Sequence, residues 1–279
     1  MRLVGQTKGT SAESGFSHPT ENCTSAEIPK VPEREQTYSV ASAISEVSLN
    51  MNWYIASLLS SRKAKNGAEQ TAQQCQYLIQ AKDHDEAYER ALELGNRSAT
   101  RDQAFVGIMD LLLIHDQLAD GAELLWSESE LTTTEIENHI LRKDDMRAFR
   151  EGPSNNEWYI CSIVLCEVHD EGSHGNLSLV WTNSYLIRAS TAEKAYERAI
   201  QIGKGQQDEP GSHKCGGERA HWKFKGIKDI TPVREVPAPD ALLWCDGFSA
   251  TFDELKGMLP DKPDLAVFKW EAEQLHQRS

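Results

Sequence analysis

Three side chains that could bind a metal or act as nucleophiles lie close together in one glycine-containing stretch. His213, Cys215 and His221 fall within nine positions, and imidazole and thiolate groups are common protein ligands of zinc. Structural zinc sites usually have ligands in tighter pairs, and this stretch lacks a second cysteine a few residues away. An ordinary polar insertion is therefore the preferred interpretation, and we predict no metal and no cofactor.

The same stretch holds the best candidate for covalent catalysis. The nucleophile would be Cys215, which two glycines follow, because a catalytic cysteine needs exposure and a base that favours its thiolate. The sequence contains no phosphate-binding glycine loop, no zinc-protease motif and no serine-hydrolase motif. We therefore assign no catalytic residue and interpret Cys215 as a surface thiol.

The elements that would have to position these side chains occur twice in the chain. Five blocks recur in the same order: WYIASLL with WYICSIV, YLIQA with YLIRA, AYERALELG with AYERAIQIG, FVGIMDL with FKGIKDI, and AELLWSE with DALLWCD. Five collinear matches establish a duplication. The last match aligns Trp126 with Trp244.

Each copy predicts the same series of elements. The first two blocks are rich in β-branched and aromatic residues and favour strands. The AYER block has apolar residues at helical spacing, and Gly95 and Gly203 are expected to end the helices. Two further strands follow, and Thr132 and Thr251 are expected to begin a second helix. The sequence therefore predicts an α+β fold of two homologous β-β-α-β-β-α units, each a mostly antiparallel sheet with helices on one face and its own apolar interior.

The chain divides into three predicted parts. Residues 1–50 are rich in Ser, Thr, Glu and Pro and are expected to be largely disordered. Residues 51–150 form the first repeat, and residues 151–279 form the second repeat, with longer loops and a C-terminal extension. Within that extension, Leu265 and Phe268 are expected to pack on the second repeat.

Residues that recur in both copies are more typical of structure than of catalysis. The aromatic residues among them are predicted to anchor the cores or the contact between the copies. They are Trp53, Tyr54, Tyr88, Trp126, Trp158, Tyr159, Tyr196 and Trp244. The acidic residues Asp110 and Asp229 each end a predicted strand, and we expect them to form a cap or a turn.

The repeated motifs resemble a bacterial family known as domain of unknown function 4288. That family is similar to a module with a Trp-Tyr strand, an Ala-Tyr-Glu helix and an aromatic-x-Gly-x-x-Asp strand. Trp53-Tyr54 and Phe105 to Asp110 carry the pattern in copy one, and copy two repeats it. Copy one departs from copy two because it has no aromatic residue where copy two has Trp222. The resemblance implies a domain type and brings no activity.

Charge and hydropathy narrow the classes of partner. The formal net charge is -14 at pH 7, so nucleic acid and anionic lipid would be repelled and a basic protein attracted. The longest apolar run, residues 159–166, is too short to cross a bilayer, and the first residues lack an apolar signal core. We expect no nucleic-acid partner, no membrane partner, a cytoplasmic location and six reduced cysteines.

The leading interpretation is a non-enzymatic module that binds another protein. Its specific version is an acidic immunity or inhibitor protein that neutralises a basic partner. One alternative is an enzyme with a Cys/His or metal site in the groove between the repeats. A further alternative is a structural half of a homo-oligomer, and the sequence leaves the oligomeric state open.

Overall fold

The computed structural model describes residues 51–62, 70–152, 155–169, 177–215 and 218–270. The segment 1–50 lies outside these residues, and the prediction that it is disordered stays a prediction. The boundaries placed at residues 50 and 150 likewise stay predictions. The described residues of both repeats belong to one compact unit.

Strands dominate the described residues. They are β1 Asn52–Arg62, β2 Gln70–Ala81, β3 Ala104–Ile114, β4 Glu123–Thr132, β5 Trp158–His169, β6 Leu177–Arg188, β7 His213–Cys215, β8 Glu218–Pro232 and β9 Leu242–Ala250. The α-helices are α1 His84–Ser98, α2 Thr133–His139, α3 Arg147–Arg150, α4 Ala192–Gly205 and α5 Phe252–Gly257. Across this part of the chain, every helix is too short or too polar to reach from one side of a bilayer to the other.

Each repeat completes the sheet of the other repeat. Sheet one has the strand order β3-β1-β2-β9, and sheet two has the order β4-β6-β5-β8-β7. All neighbouring strands are antiparallel. The predicted α+β fold with two similar, mostly antiparallel units is confirmed, but β4 of the first repeat pairs with β6 and β9 of the second repeat pairs with β2.

The segments that follow the exchanged strands also cross over. Leu265 and Val267 are buried in the core between α1 and sheet one, whereas Met146 and Ala148 are buried in the core between α4 and sheet two. The predictions that the C-terminal extension packs on the second repeat, and that each repeat has its own interior, are therefore wrong. A buried apolar side chain contributes about 2 kcal/mol to the free energy of unfolding. Each core therefore loses part of its stabilisation when the other half of the chain is absent.

The glycine of each Phe-x-Gly-x-x-Asp strand makes room for the exchanged segment. A Cβ atom on Gly107 would lie 2.8 Å from Leu259, which follows α5. A Cβ atom on Gly226 would lie 2.6 Å from Ile140, which follows α2. In both sheets, a side chain from the other repeat therefore occupies the space that glycine leaves.

The aspartate of the same motif caps the exchanged helical turn. Asp110 Oδ1 accepts a hydrogen bond from the backbone N–H of Ala266 at 3.2 Å, and Asp229 Oδ1 accepts one from Arg147 at 2.8 Å. Burial raises the pKa of the Asp110 carboxyl. Neither aspartate ends its strand as expected, since β3 continues to Ile114 and β8 to Pro232. Their carboxylates do act as caps, and each cap joins one repeat to the other.

Gly95 and Gly203 lie inside their helices and do not end them. α1 continues to Ser98 and α4 continues to Gly205. A Cβ atom would lie 2.4 Å from the ring of Phe105 at the first glycine and 2.3 Å from the ring of Phe224 at the second. The prediction that these glycines stop the helices is wrong. Because glycine has no side chain, a phenylalanine of the underlying sheet packs directly against the helix at each position.

Aromatic anchors occupy two kinds of environment. Tyr54 and Tyr159 are fully buried beneath α1 and α4, and Tyr88 and Tyr196 pack against the same cores. A separate apolar cluster joins the two sheets face to face, since it contains side chains of β1 and β2 together with side chains of β5 and β6. The tryptophans packed against it are Trp53, Trp158 and Trp244.

Candidate functional site

The structure separates the residues that suggested a metal site. His213 on β7 pairs with Ala220 on β8, and His221 is the next residue of β8, so the two imidazoles point to opposite faces of sheet two. Cys215 ends β7, and its side chain lies outside the described part of the structure. Across the described residues, no group of three or more His, Cys, Asp or Glu side chains could hold a metal ion.

His213 instead pairs with a buried carboxylate. Its Nε2 atom lies 2.9 Å from Glu167 Oε1, and Glu167 on β5 is only 7% exposed. Its Nδ1 atom lies 3.7 Å from Asp208 Oδ2. A buried carboxylate is costly without a donor, so the first role of His213 is to satisfy Glu167.

Three tryptophans and His213 form an aromatic row across sheet two. Trp181 on β6 stacks on Trp222 of β8, with ring centroids 4.0 Å apart and planes 24° apart. The ring centroid of Trp126 on β4 lies 6.0 Å from that of Trp181, and the ring centroid of His213 lies 6.1 Å from that of Trp222. All three tryptophans are half-buried. The row therefore offers aromatic surface to solvent, which a tryptophan within a closed core would not.

The aromatic row continues the face of sheet two that α4 covers. Trp181 is the cross-strand partner of Leu165. Leu165 follows Cys161 and Ile163 in the alternation of β5, and both of these belong to the core beneath α4. The tryptophans thus lie beside the helix on the same side of the sheet.

A polar cluster centred on Tyr185 adjoins the row. The Tyr185 hydroxyl donates to Glu123 Oε2 at 2.6 Å and accepts from the side-chain amides of Asn183, at 3.4 Å, and Gln206. Asn183 is the cross-strand partner of Trp126. Two further oxygens of the cluster, Asn183 Oδ1 and Gln206 Oε1, are buried and accept no hydrogen bond from the described residues.

Burial controls the ionisation of this cluster. It raises the pKa of the Glu123 carboxyl, and the hydrogen bond from Tyr185 opposes that shift. It also raises the pKa of Tyr185, and the adjacent Glu123 raises it further. At neutral pH the phenol is therefore a hydrogen-bond donor to the carboxyl group and not a base.

A family model for a domain of unknown function (DUF4288) matches residues 53–126 and 158–241. The two matched segments cover more than half of the chain. The chain belongs to this family. No curated protein and no solved structure matches the chain. The first DUF4288 match ends within β4 and the second ends just before β9, so both stop where the exchanged strand begins.

The backbone hydrogen bonds define which positions of the two DUF4288 repeats are equivalent. Leu186 N donates to Ala122 O at 2.9 Å, and Leu78 N donates to Ala241 O at 2.9 Å. Ala122 and Ala241 are therefore equivalent residues at the entry to the exchanged strands. This equivalence shifts the alignment of β4 and β9 by one residue from the alignment that the LLW letters suggested.

The corrected alignment matches Trp126 with Cys245, so its alignment with Trp244 is wrong. Because strand side chains alternate, the one-residue shift places the two tryptophans on opposite faces. Trp244 packs between the two sheets, whereas Trp126 contacts Trp181 in the aromatic row. Trp126 thus stands apart from the inter-sheet anchors with which the sequence grouped it.

The first DUF4288 repeat has a disulfide where the second has the Trp126–Asn183 pair. Cys75 on β2 and Cys245 on β9 are direct cross-strand partners and are joined. The expectation of six reduced cysteines is wrong for these two, because the exchange brings together cysteines that are 170 residues apart. The sequence gives no sign of this contact, which the strand exchange creates.

The remaining positions of this region also differ between the repeats. The strand matches align Gln73 with Trp181 and Gln103 with Trp222. Gln103 Nε2 donates to Gln73 Oε1 at 2.7 Å and to Ser60 Oγ at 2.6 Å. A cavity of about 190 Å³ borders these glutamines and the disulfide. The two sheets therefore carry different surfaces at this position, and the aromatic one belongs to sheet two, to which the first repeat contributes Trp126.

Sequence reasoning missed Trp181, Asn183, Tyr185 and Glu123 as members of a site. Divergence between the repeats, which already distinguished Trp222, could have found Trp181, Asn183 and Glu123, whereas Tyr185 matches Tyr77 and gives no such signal. When the two copies are matched, the residues that stand out are those that both copies share, and these residues form the fold. The positions at which the copies differ in polarity and size are the ones that assemble this site.

Proposed function

We propose that the protein is a non-enzymatic module that binds another protein through the aromatic row of sheet two. The observation that carries the proposal is the half-buried row Trp126–Trp181–Trp222, which has no counterpart in sheet one. Tryptophan is enriched at protein interfaces because it contributes a large apolar surface and a hydrogen-bond donor.

The charge around the row favours a basic partner. Glu128 accepts a hydrogen bond from Trp181 Nε1 at 3.0 Å, and Glu123 lies in the adjoining polar cluster. The whole chain carries a formal net charge of -14, which would accelerate encounter with a cationic protein at low salt. An acidic bacterial immunity or inhibitor protein that neutralises a basic partner fits these features.

The placement of the candidate catalytic residues gives the enzyme alternative little support. His213 and His221 point to opposite faces of sheet two, and His213 is engaged with Glu167. Cys161 and Cys166 are buried, and burial raises the pKa of both thiols. A thiol with a raised pKa is a poor nucleophile at neutral pH.

The proposal can be tested by affinity isolation from the cells that make the protein. We compare the wild type with Trp181→Ala/Trp222→Ala and with the matched first-repeat variant Gln73→Ala/Gln103→Ala. We expect the wild type and the glutamine variant to retain one basic protein at low salt, and the tryptophan variant to lose it. Retention should weaken as salt rises. A partner retained equally by all three proteins, or the absence of any partner, would contradict the proposal.

We also propose a cytoplasmic location, which the acidic composition and short apolar runs support. The test is fractionation of the cells that make the protein, in which the protein should be recovered together with a cytosolic marker enzyme. The Cys75–Cys245 disulfide would then be one of the uncommon disulfides of cytosolic proteins. Recovery in another fraction would contradict this location.

A further inference from the structure

We propose that the polar cluster around Tyr185, together with Trp126 and Trp181, binds the guanidinium group of an arginine on the partner. This inference rests on the proposed binding function and names the chemistry that the site recognises. The cluster is defined by Glu123, Asn183, Tyr185 and Gln206, and we call it the Tyr185 cluster.

The Tyr185 cluster contains two hydrogen-bond acceptors that the described residues leave unused and that are closed to solvent, so a ligand reaches them only when a neighbouring side chain moves aside. Asn183 is only 7% exposed, yet its Oδ1 atom accepts no hydrogen bond, and the same is true of Gln206 Oε1. Their amide groups already donate to the Tyr185 hydroxyl. A buried acceptor without a donor is costly, so a ligand that brings several donors would be favoured there.

The negative charge of Glu123 in the Tyr185 cluster also favours a cationic ligand. Glu123 accepts a hydrogen bond from Tyr185, but no Lys or Arg of the described residues forms an ion pair with it. Gln206 is the C-terminal cap of α4, and the carbonyl groups at the end of a helix favour positive charge. A carboxylate and a helix C-terminus therefore act together on the same ligand.

The adjacent tryptophans select a planar cation. Trp126 is the cross-strand partner of Asn183, so its indole lies beside the amide. Trp181 lies 6.0 Å from Trp126 and continues the aromatic surface. Arginine suits this arrangement better than lysine, since its flat guanidinium group stacks on an aromatic face and carries five donors in one plane.

The first repeat offers no equivalent subsite. Tyr77 pairs with Leu242 in sheet one, whereas Tyr185 pairs with Glu123 in sheet two. The Cys75–Cys245 disulfide stands where Asn183 and Trp126 stand. The carboxylate, the amide and the tryptophan are therefore all absent from the equivalent positions of sheet one, and we expect one arginine per chain.

The experiment uses the full chain and three blocked tripeptides, Gly-Arg-Gly, Gly-Lys-Gly and Gly-citrulline-Gly. Citrulline has the shape of arginine without its charge, so it separates shape from charge. We follow the tryptophan indole N–H signals by NMR during each titration. The arginine peptide should shift the signals of Trp126 and Trp181 saturably and bind at least tenfold more tightly than the citrulline peptide, with lysine in between.

Two variants give a matched control for charge. Glu123→Gln removes the carboxylate of the Tyr185 cluster, and we expect at least a tenfold loss of affinity for the arginine peptide. Glu130→Gln removes the same charge from an exposed position on the same strand, and we expect less than a twofold loss. The NMR spectrum of each variant verifies its fold, and the wild-type titrations retain their force if Glu123→Gln does not fold.

Three results would overturn the inference: no saturable shift, equal binding of the arginine and citrulline peptides, or equal losses in the two variants. These results differ from a failure of the proposed function. If a basic protein is captured through the tryptophans but the peptides bind alike, only the arginine assignment is wrong. If the arginine peptide binds as expected but no basic protein is captured, the subsite stands and the protein-binding proposal fails.

Discussion

At the scale of single residues, the family motif is explained by close packing between elements. Gly203 of α4 lies against the ring of Phe224, and Gly95 of α1 lies against Phe105 in the same way. A helical glycine costs about 1 kcal/mol relative to alanine when nothing requires it. Both repeats have a glycine at this position. The free energy gained from the contact between helix and sheet must therefore exceed the free energy that glycine costs in helix propensity.

Replacement of this glycine should destabilise the protein although alanine is the better helix former. In Gly203→Ala the new methyl group would lie 2.3 Å from the Phe224 ring, and overpacking of this kind costs about 1–3 kcal/mol. We expect a net loss of about 1–2 kcal/mol in the free energy of unfolding, measured by urea titration. The control is Gly205→Ala, two residues further along, where a Cβ atom would meet nothing within 4 Å. Equal stabilities of the two variants would contradict this account of the motif.

At the scale of elements, each sheet is completed by one strand from the other repeat, which is β9 in sheet one and β4 in sheet two. β9 pairs with residues 70–77 of β2 in sheet one, and β4 pairs with residues 177–185 of β6 in sheet two. An unpaired edge strand would expose backbone donors and acceptors. The exchange covers one edge of each sheet, and in sheet one the Cys75–Cys245 disulfide fixes it covalently.

Reduction of the disulfide should lower stability without changing the fold. The bond closes a loop of 170 residues, and a disulfide stabilises a protein mainly by restricting the unfolded chain. We expect Cys75→Ser/Cys245→Ser to lose about 2–4 kcal/mol in the free energy of unfolding and to keep the far-UV circular dichroism of the wild type.

The matched control for this variant is Cys166→Ser, which removes a free cysteine. Addition of a reductant should lower the urea midpoint of the Cys166→Ser protein and leave that of the disulfide variant unchanged. A reductant that has no effect on the wild type would show that the disulfide does not contribute to stability.

At the scale of the whole molecule, the two repeats form one folding unit. Each helix-facing core takes apolar side chains from the other half of the chain, and each motif aspartate caps a helical turn of the other half. The pseudo-symmetric exchange resembles a domain-swapped dimer whose two subunits have been joined in one chain. Neither half contains all the parts that its own sheet requires.

Separate halves should therefore fold only in each other's presence. We expect residues 1–152 and 153–279, expressed apart, to yield no folded monomer, because each lacks its fourth strand and two buried side chains of its core. Mixing the halves should restore a 1:1 complex with the circular dichroism of the whole chain, measured together with native mass. A folded monomer of either half would refute the idea of a single folding unit.

The site was harder to predict than the fold because its residues come from different parts of the chain. The duplication aligned Asp110 with Asp229 and suggested caps, which the structure confirms. The Tyr185 cluster combines Glu123 of β4 with Asn183 of β6, which are neighbours only after the exchange. No local pattern encodes that contact, and the search for metal ligands led instead to His213 and His221, on opposite faces of one sheet.

The sequence by itself determined the duplication, the order of the main strands and helices, and the helix starts at Thr132 and Thr251, since each depends on residues a few positions apart. Only the tertiary structure decided which half supplies the fourth strand, and with it the disulfide and the aromatic row. The physical reason is that an antiparallel sheet edge can pair with any strand of suitable polarity. The choice between the two halves depends on side chains that pack from far apart in the chain.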